Sequence, residues 1–279
     1  MPLSGVPEHF AEAADRAEFC SVPRPGVELY RAQIVHHAFA PHSHEGYGLG
    51  VIEAGAERFR YCGSDYLAGP GALVTMNPDV LHTGAAAGDG GWRYRMIYLT
   101  PAVVGEISGE PAWWYRQPLA PASATRSTRV GQLLQALWQC SDQLAADSLL
   151  ALLVSALRPA DSAPPPPEPP LRMTRVLDYM RTHLASTLRL EDLAALVDLS
   201  PFHFLRQFRA CYHVTPQQML MAQRLHLAKQ LLAAGRPPAM VAAEVGLSDQ
   251  AHLTRAFYQR YGTTPAAYRR QISRQTGRA

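Results

Sequence analysis

Lysine is all but missing from this 279-residue chain: of 26 basic side chains only Lys229 is a lysine, and composition alone assigns it no role. Cysteine is sparse too. Cys20, Cys62, Cys140 and Cys211 stand apart without C-x-x-C spacing, which argues against a disulfide framework or a zinc ribbon and for reduced thiols in a cytoplasmic protein. Long hydrophobic runs are lacking: a stretch such as 149–157 is too short to cross a bilayer. The opening MPLSGVPEHFAEAADRAEF has early acids and no apolar segment, so neither a secretory signal nor a membrane partner is expected. Charge is modest, at 18% against 47% hydrophobic residues. That is a globular composition on a chain long enough for two cores.

The charge that is present is unevenly placed. The formal net of +3 splits into 11 basic and 17 acidic side chains over residues 1–170, a net of −6, and 15 basic and 6 acidic over 171–279, a net of +9. An acidic module joined to a basic one suggests that the second binds nucleic acid. Six prolines within residues 163–170 rule out a helix interior or central strand there. They imply a polyproline II spacer holding the modules roughly 25 Å apart, at about 3.1 Å per residue.

Before that spacer, VELYRAQIVHHAF, YGLGVIEAG, AERFRYCG, GALVTMN and WRYRMIYL read as short strands separated by Gly, Pro, Asn or Asp, the pattern of an antiparallel barrel or sandwich. From about 128 to 157 the period becomes helical, with Leu133, Leu134, Leu137, Trp138, Leu144, Leu149, Leu152, Leu153 and Leu157 as apolar positions and a break near Ser141. Part of this surface is expected to cover the strands and the rest to pair two chains. After the spacer almost every segment reads as helix. Ser200-Pro201, Thr215-Pro216 and Thr264-Pro265 give N-caps followed by proline, and Gly235 a stop.

The basic half repeats itself. Leu193-Ala194-Ala195, Val197 and Leu199 precede Val241-Ala242-Ala243, Val245 and Leu247 by 48 residues. Phe204, Arg206, Phe208, Tyr212, Thr215 and Pro216 precede Leu253, Arg255, Phe257, Tyr261, Thr264 and Pro265 by 49. A short helix, a turn at Asp198 or Gly246 and an amphipathic helix make a helix-turn-helix, here in tandem. Phe204, Phe208, Leu253 and Phe257 recur at i, i+4 and should face the core. Phe202, His203, Leu205, Arg206 and Arg209, and Gln250, Ala251, Thr254, Arg255 and Gln259, are left outward. Arginine can pair with guanine, Gln can read adenine, and Thr or an apolar group can meet a thymine methyl. The helix between the units, about 28 Å long, suits two recognition helices in successive major grooves.

These residues resemble the AraC/XylS transcriptional regulators over 172–270, with the most specific agreement in 190–208, 228–235 and the run VAAEVGLSDQAHLTRAF. The resemblance implies two recognition helices in adjacent grooves of promoter DNA. Carried over by position, it marks Phe202, Leu205 and Arg206, then Gln250, Ala251, Thr254 and Arg255 as base-facing, with Arg209 beside them. Leu205 departs from the polar residue relatives often carry, which leaves Arg206 as the main reader of the first helix. The N-terminal half resembles a cupin-type effector-binding domain through Pro41-His42-Ser43-His44-Glu45, Gly48 to Glu53, Pro70-Gly71, Asn77 to His82 and Trp92-Arg93-Tyr94. His42, His44, Tyr47, His82 and Tyr94 are the candidate effector-binding residues, while Trp113-Trp114-Tyr115 is expected to pack internally.

An H-x-H pair, a later His and a carboxylate are also what cupin metalloenzymes use. Here Glu45 follows His44 at once, Glu53 lies nine residues on, and the Pro78–His82 spacing is one residue short of the enzyme pattern. The histidines are therefore expected as hydrogen-bonding groups, with no metal, no cofactor and no catalytic residue. The fold expected is an α+β multidomain protein. It comprises an N-terminal arm (1–25), a cupin-like antiparallel β-barrel (26–125), flanking dimerisation helices (126–158), a proline-rich linker (159–170) and an all-α tandem helix-turn-helix DNA-binding domain (171–279). The function expected is a homodimeric regulator that senses a small molecule, binds promoter DNA and, if an activator, meets RNA polymerase. The alternative is a cupin metalloenzyme fused to a DNA-binding tail.

Overall fold

A computed structural model describes residues 15–22, 24–110, 113–120, 123–159 and 170–276. Strands β1 (Arg16–Ser21), β2 (Val27–Ile34), β3 (Ala38–His42), β4 (Tyr47–Gly55), β5 (Glu57–Tyr61), β6 (Ser64–Ala68), β7 (Leu73–Met76), β8 (His82–Ala86) and β9 (Trp92–Leu99) form two antiparallel sheets. One sheet has the order β1-β2-β9-β4-β7, the other β3-β8-β5-β6. The stretch read as one long strand over VELYRAQIVHHAF breaks at 35–37 into β2 and β3, which belong to different sheets.

The expected cupin-like barrel is not what forms. Neither sheet closes, and both outer edges of the five-stranded sheet find partners that are not strands of the other sheet. Beside β7, Thr75 N donates to Pro118 O at 2.8 Å and Ala120 N donates to Leu73 O at 3.0 Å. On β1, Phe19 N donates to the Gln271 side chain at 3.1 Å, and Gln271 Nε2 donates back to Ala17 O at 3.3 Å. An edge whose amides are already satisfied has no drive to recruit another strand.

Alternation assigns each face. On β5, Glu57, Phe59 and Tyr61 point inward and Arg58 and Arg60 outward. In the five-stranded sheet, Leu29, Leu49, Val51, Ile97 and Leu99 pack under helices α2 (Ala124–Gln139) and α3 (Gln143–Leu157), whose Val130, Leu134, Leu150 and Leu153 complete that core. Trp113 and Tyr115 are buried in it, as expected. The two helices break at 140–142, where Cys140 turns extended and Asp142 caps α3 by accepting from Ala145 N. A short helix α1 (Pro101–Ser108) is capped by Thr100.

The basic half is helical throughout: α4 (Leu171–Thr182), α5 (Leu190–Ala195), α6 (Pro201–Tyr212), α7 (Pro216–Ala233), α8 (Pro238–Glu244), α9 (Gln250–Tyr261) and α10 (Pro265–Thr276). The repeat is visible in the backbone. Asp198 and Gly246 occupy equivalent turn positions, and both are left-handed, with φ of 54° and 73°. A Cβ at Gly246 would fall 2.7 Å from the Ala185 backbone, so the second turn needs glycine. The first helix-turn-helix buries Met173, Val176, Phe204 and Phe208 in a core of its own, joined by Leu81 from the strand half.

The second unit does not stand apart. Leu225, Ala228, Val241, Leu253, Phe257, Tyr261 and Tyr268 share one continuous core with Phe19, Tyr30, Phe39, Trp92 and Tyr94 of the strands. The open side of the two sheets leaves aromatic side chains to be covered, and the second helix-turn-helix covers them. The modules thus pack directly on one another instead of being held at spacer distance. Residues 160–169 of the proline-rich linker and residues 1–14 of the N-terminal arm lie outside the described residues.

Candidate functional site

Two surfaces converge near the junction of the halves. The first is the outer face of the recognition helices. Ser200 caps α6 by accepting from His203 N, and Asp249 caps α9 by accepting from His252 N at 2.7 Å. Each helix then buries an aromatic or aliphatic stripe, Phe204 and Phe208 or Leu253 and Phe257, all at 0% exposure. Helical geometry turns the intervening residues outward. Phe202, Arg206, Arg209, Gln250, Ala251 and Arg255 are exposed, and Leu205 and Thr254 half-buried. Phe202 is 72% exposed, which is unusual for an aromatic with no partner to cover it. The Thr254 hydroxyl donates to Gln250 O at 2.8 Å. Arg206 and Arg209 border an open cleft whose other wall is the β5–β6 turn, with Arg60 and Cys62.

The second surface is a small cavity between the sheets and the second helix-turn-helix. His42 and His82 are direct cross-strand partners on β3 and β8, and His44 follows two residues later against Tyr98, ring centroids 4.3 Å apart. Tyr94, Tyr30 and Glu57 complete the strand-side wall, and Lys229, Arg260 and Tyr261 form the helical side. Four of the five sequence-derived effector residues are thereby brought together. Tyr47 is not among them: it points to the opposite face of β4, where its hydroxyl donates to Trp113 O at 2.9 Å and accepts from Trp113 N.

Burial dominates the electrostatics of the cavity. It pushes His42 and His44 well below the usual imidazole range and His82 down to about 4; Arg260 adds to the effect at all three, and neighbouring imidazoles add to it at His42 and His44. It pushes the Glu57 carboxyl up to about 8. At neutral pH the cavity therefore holds uncharged imidazoles and a largely protonated acid.

Sequence reasoning missed the helical wall. The Lys229 ammonium pairs with Glu28, lies 4.5 Å from the Phe19 ring centroid and 5.0 Å from that of Tyr261, and shares Glu28 with the Tyr268 hydroxyl at 3.1 Å. Arg260, 6% exposed, donates to Ala222 O at 2.9 Å and to Ser43 O. His226 pairs with Glu45 at 2.6 Å. The lone lysine of an arginine-rich chain was the available signal, as was Glu57 at an inward position of its strand.

A tandem helix-turn-helix whose second unit walls a cavity in a strand-built partner defines a ligand-responsive DNA-binding regulator. Comparison with known proteins agrees. Residues 24–157 match the AraC-like ligand binding domain and residues 193–271 a helix-turn-helix domain. The chain is 31% identical to the MmsAB operon regulatory protein of Pseudomonas aeruginosa over 255 residues, covering 84% of this chain and 76% of that protein. It is 28% identical to the HTH-type transcriptional regulator YbfI of Bacillus subtilis over 243 residues, covering 83% and 87%. In fold it is similar to an apo single-site variant of ToxT from Vibrio cholerae, with a TM-score of 0.59 at 10% identity, over 90% of this chain and all of that one.

The chain belongs to the AraC/XylS family of transcriptional regulators. It is an effector-responsive, DNA-binding regulator. The two relatives that match over most of this chain are both named as regulators, which favours the regulator over the metalloenzyme fusion. The cupin assignment of the sensor is withdrawn with the barrel, since the sheets are open. No helix among the described residues is long and apolar enough to cross a membrane.

Proposed function

We propose that the chain reads promoter DNA with Phe202, Leu205, Arg206 and Arg209 of α6 and with Gln250, Ala251, Thr254 and Arg255 of α9, in successive major grooves. It senses its effector in the cavity bounded by His42, His44, His82 and Tyr94, with Tyr47 acting only through the packing behind that wall. Residues 26–125 and the helices to 158 act as the sensor, and 171–279 as the reader. The observation that carries this reading is that Lys229, Arg260 and Tyr261 of the reader line the same cavity as the sensor's histidines. A ligand there touches both halves at once, so its affinity must differ between arrangements of the halves, and that difference is all that a switch requires.

The spacing supports the two-groove reading. Helix α7, with 18 residues, spans about 27 Å at 1.5 Å per residue. The cleft beside Arg206 and Arg209 supports a switch at the first unit, because seating α6 in a groove requires the β5–β6 turn to clear it. The residue 16–21 part of the arm lies between β2 and α10, a position from which it could transmit such a change. Dimerisation through α3 is supported by an outer face of Leu144, Ala145, Ser148, Ala151, Leu152 and Ser155, all exposed and none charged. RNA polymerase is a further partner if the protein activates.

The DNA reading is tested with Arg206→Ala and Arg255→Ala on a footprinted promoter fragment. Each should lose about 1–3 kcal/mol of specific binding while non-specific binding holds. Wild-type footprints in both variants would remove these arginines from the readout.

A further inference from the structure

The cavity between sensor and reader has a volume of about 40 Å³. That is room for an ion with a water or two; the several hundred Å³ that enclose an organic ligand would open here only if sensor and reader moved apart. Inside it, His42, His44 and His82 each present a ring nitrogen, and these three atoms all lie within 4.8 Å of one another. Two of the rings are held by the backbone. His42 Nδ1 lies 2.8 Å from Ala40 O, and His82 Nδ1 lies 3.1 Å from Val80 O. A carbonyl oxygen can only accept, so each Nδ1 carries the proton and each Nε2 keeps its lone pair free. Fixing the tautomer through a backbone carbonyl is the outer-shell arrangement that prepares imidazole to bind a metal.

We propose that His42, His44 and His82 form a three-imidazole site for one divalent first-row transition-metal ion. Neutral nitrogen donors suit zinc, cobalt, nickel or iron rather than calcium or magnesium, which prefer oxygen. Three protein ligands leave at least one coordination position open. The surroundings indicate what fills it. Lys229 is already neutralised by Glu28, but Arg260, which lines the same cavity, has its Nε buried without a hydrogen-bond partner. An anionic oxygen on the metal, from hydroxide or a small carboxylate, would offset part of the ion's charge and accept a hydrogen bond from that guanidinium. Because Arg260 sits on α9, the metal would be read directly by the second helix-turn-helix. Sequence spacing had argued against a metal because it lacked the enzyme carboxylate; a binding site needs only the three imidazoles.

The regulatory consequence rests on the reading of this cavity as the sensing site, but metal occupancy does not. The test uses full-length protein purified without a histidine tag, stripped with EDTA and titrated with Co²⁺, then Zn²⁺, with no DNA or effector present. The expected result is one Co²⁺ per chain at micromolar or lower concentration, with intense visible bands of a low-coordinate site that Zn²⁺ displaces. H42Q, H44Q and H82Q should each weaken binding at least about tenfold, with circular dichroism reporting whether the fold is kept. Should those variants misfold, X-ray absorption of the wild-type complex must still show about three imidazole scatterers. Absence of binding up to 1 mM Co²⁺, unchanged affinity in folded variants, or fewer than two imidazoles around the ion would overturn the site. A negative outcome leaves the effector reading standing, which a metabolite panel in EDTA tests separately.

Discussion

Replacing Lys229 with methionine should loosen the reader from the sensor without a large change in packing volume. In the wild type the Lys229 and Glu28 side chains are 14% and 20% exposed, and the ammonium sits among aromatic rings. Removing one partner of a fully buried pair costs about 3–5 kcal/mol; the residual exposure lowers this to roughly 2–3 kcal/mol. Lost cation–π contacts add about 0.5–1 kcal/mol. In a double-mutant cycle with Glu28→Gln, the pair should show a coupling of about 1–2 kcal/mol. The chain offers a convenient assay, since all four tryptophans, Trp92, Trp113, Trp114 and Trp138, lie in the sensor. Their fluorescence follows sensor unfolding in urea, while far-ultraviolet circular dichroism is weighted to the helical reader. The shared core predicts coincident transitions for wild type and separated ones for Lys229→Met. A coupling under about 0.5 kcal/mol together with coincident transitions in the variant would refute the claim that this pair joins the halves.

Two further outcomes follow from the site and the surface. The Glu57 carboxyl, raised from 4.5 to about 8, favours the folded state most below pH 4.5, and this contribution is lost as pH rises through 8. In EDTA, Glu57→Gln should therefore gain stability over wild type as pH climbs from 5 to 8, by on the order of 4 kcal/mol at the top. A pH-independent difference in urea midpoints would show that Glu57 does not titrate in this window. His82, lowered to about 4, has the opposite sign: its contribution is present above the ordinary imidazole value of 6.5 and is lost as pH falls through 4, in both proteins alike. Leu144→Glu with Leu152→Glu, at 77% and 45% exposure, should convert a dimer to monomer in sedimentation velocity; a wild-type monomer at micromolar concentration would exclude α3 as a dimer interface.

Legibility differed sharply between the halves, for physical reasons. Helix-turn-helix units are built from contacts three and four residues apart, so the 48- and 49-residue repeat, the caps at Ser200 and Thr215 and the buried Phe204, Phe208, Leu253 and Phe257 could all be read locally. Strands β1, β6 and β8 were missed because Ser64–Ala68 and His82–Ala86 are short and small-residue-rich, and Arg16–Ser21 acquires its role only by pairing with β2. Sheet closure was misjudged because it depends on what satisfies each edge, here residues 118–120 and Gln271, far away in sequence. Among the candidate ligand residues, Tyr47 was assigned to the wrong side because the register of β4 against β9 decides which face a residue takes.

By itself the sequence determined an acidic strand-built half, a basic helical half and the tandem units with their outward arginines, since charge, periodicity and capping act over a turn or two of chain. Only the tertiary structure decided that the halves share one core, that His42, His44 and His82 meet, and that Lys229 and Arg260 close over them. Those contacts include pairs two hundred or more positions apart, as Glu28 and Lys229, or Tyr30 and Tyr261, are. They are selected by burial of the aromatic side chains left uncovered between the open sheets, a property no local pattern records.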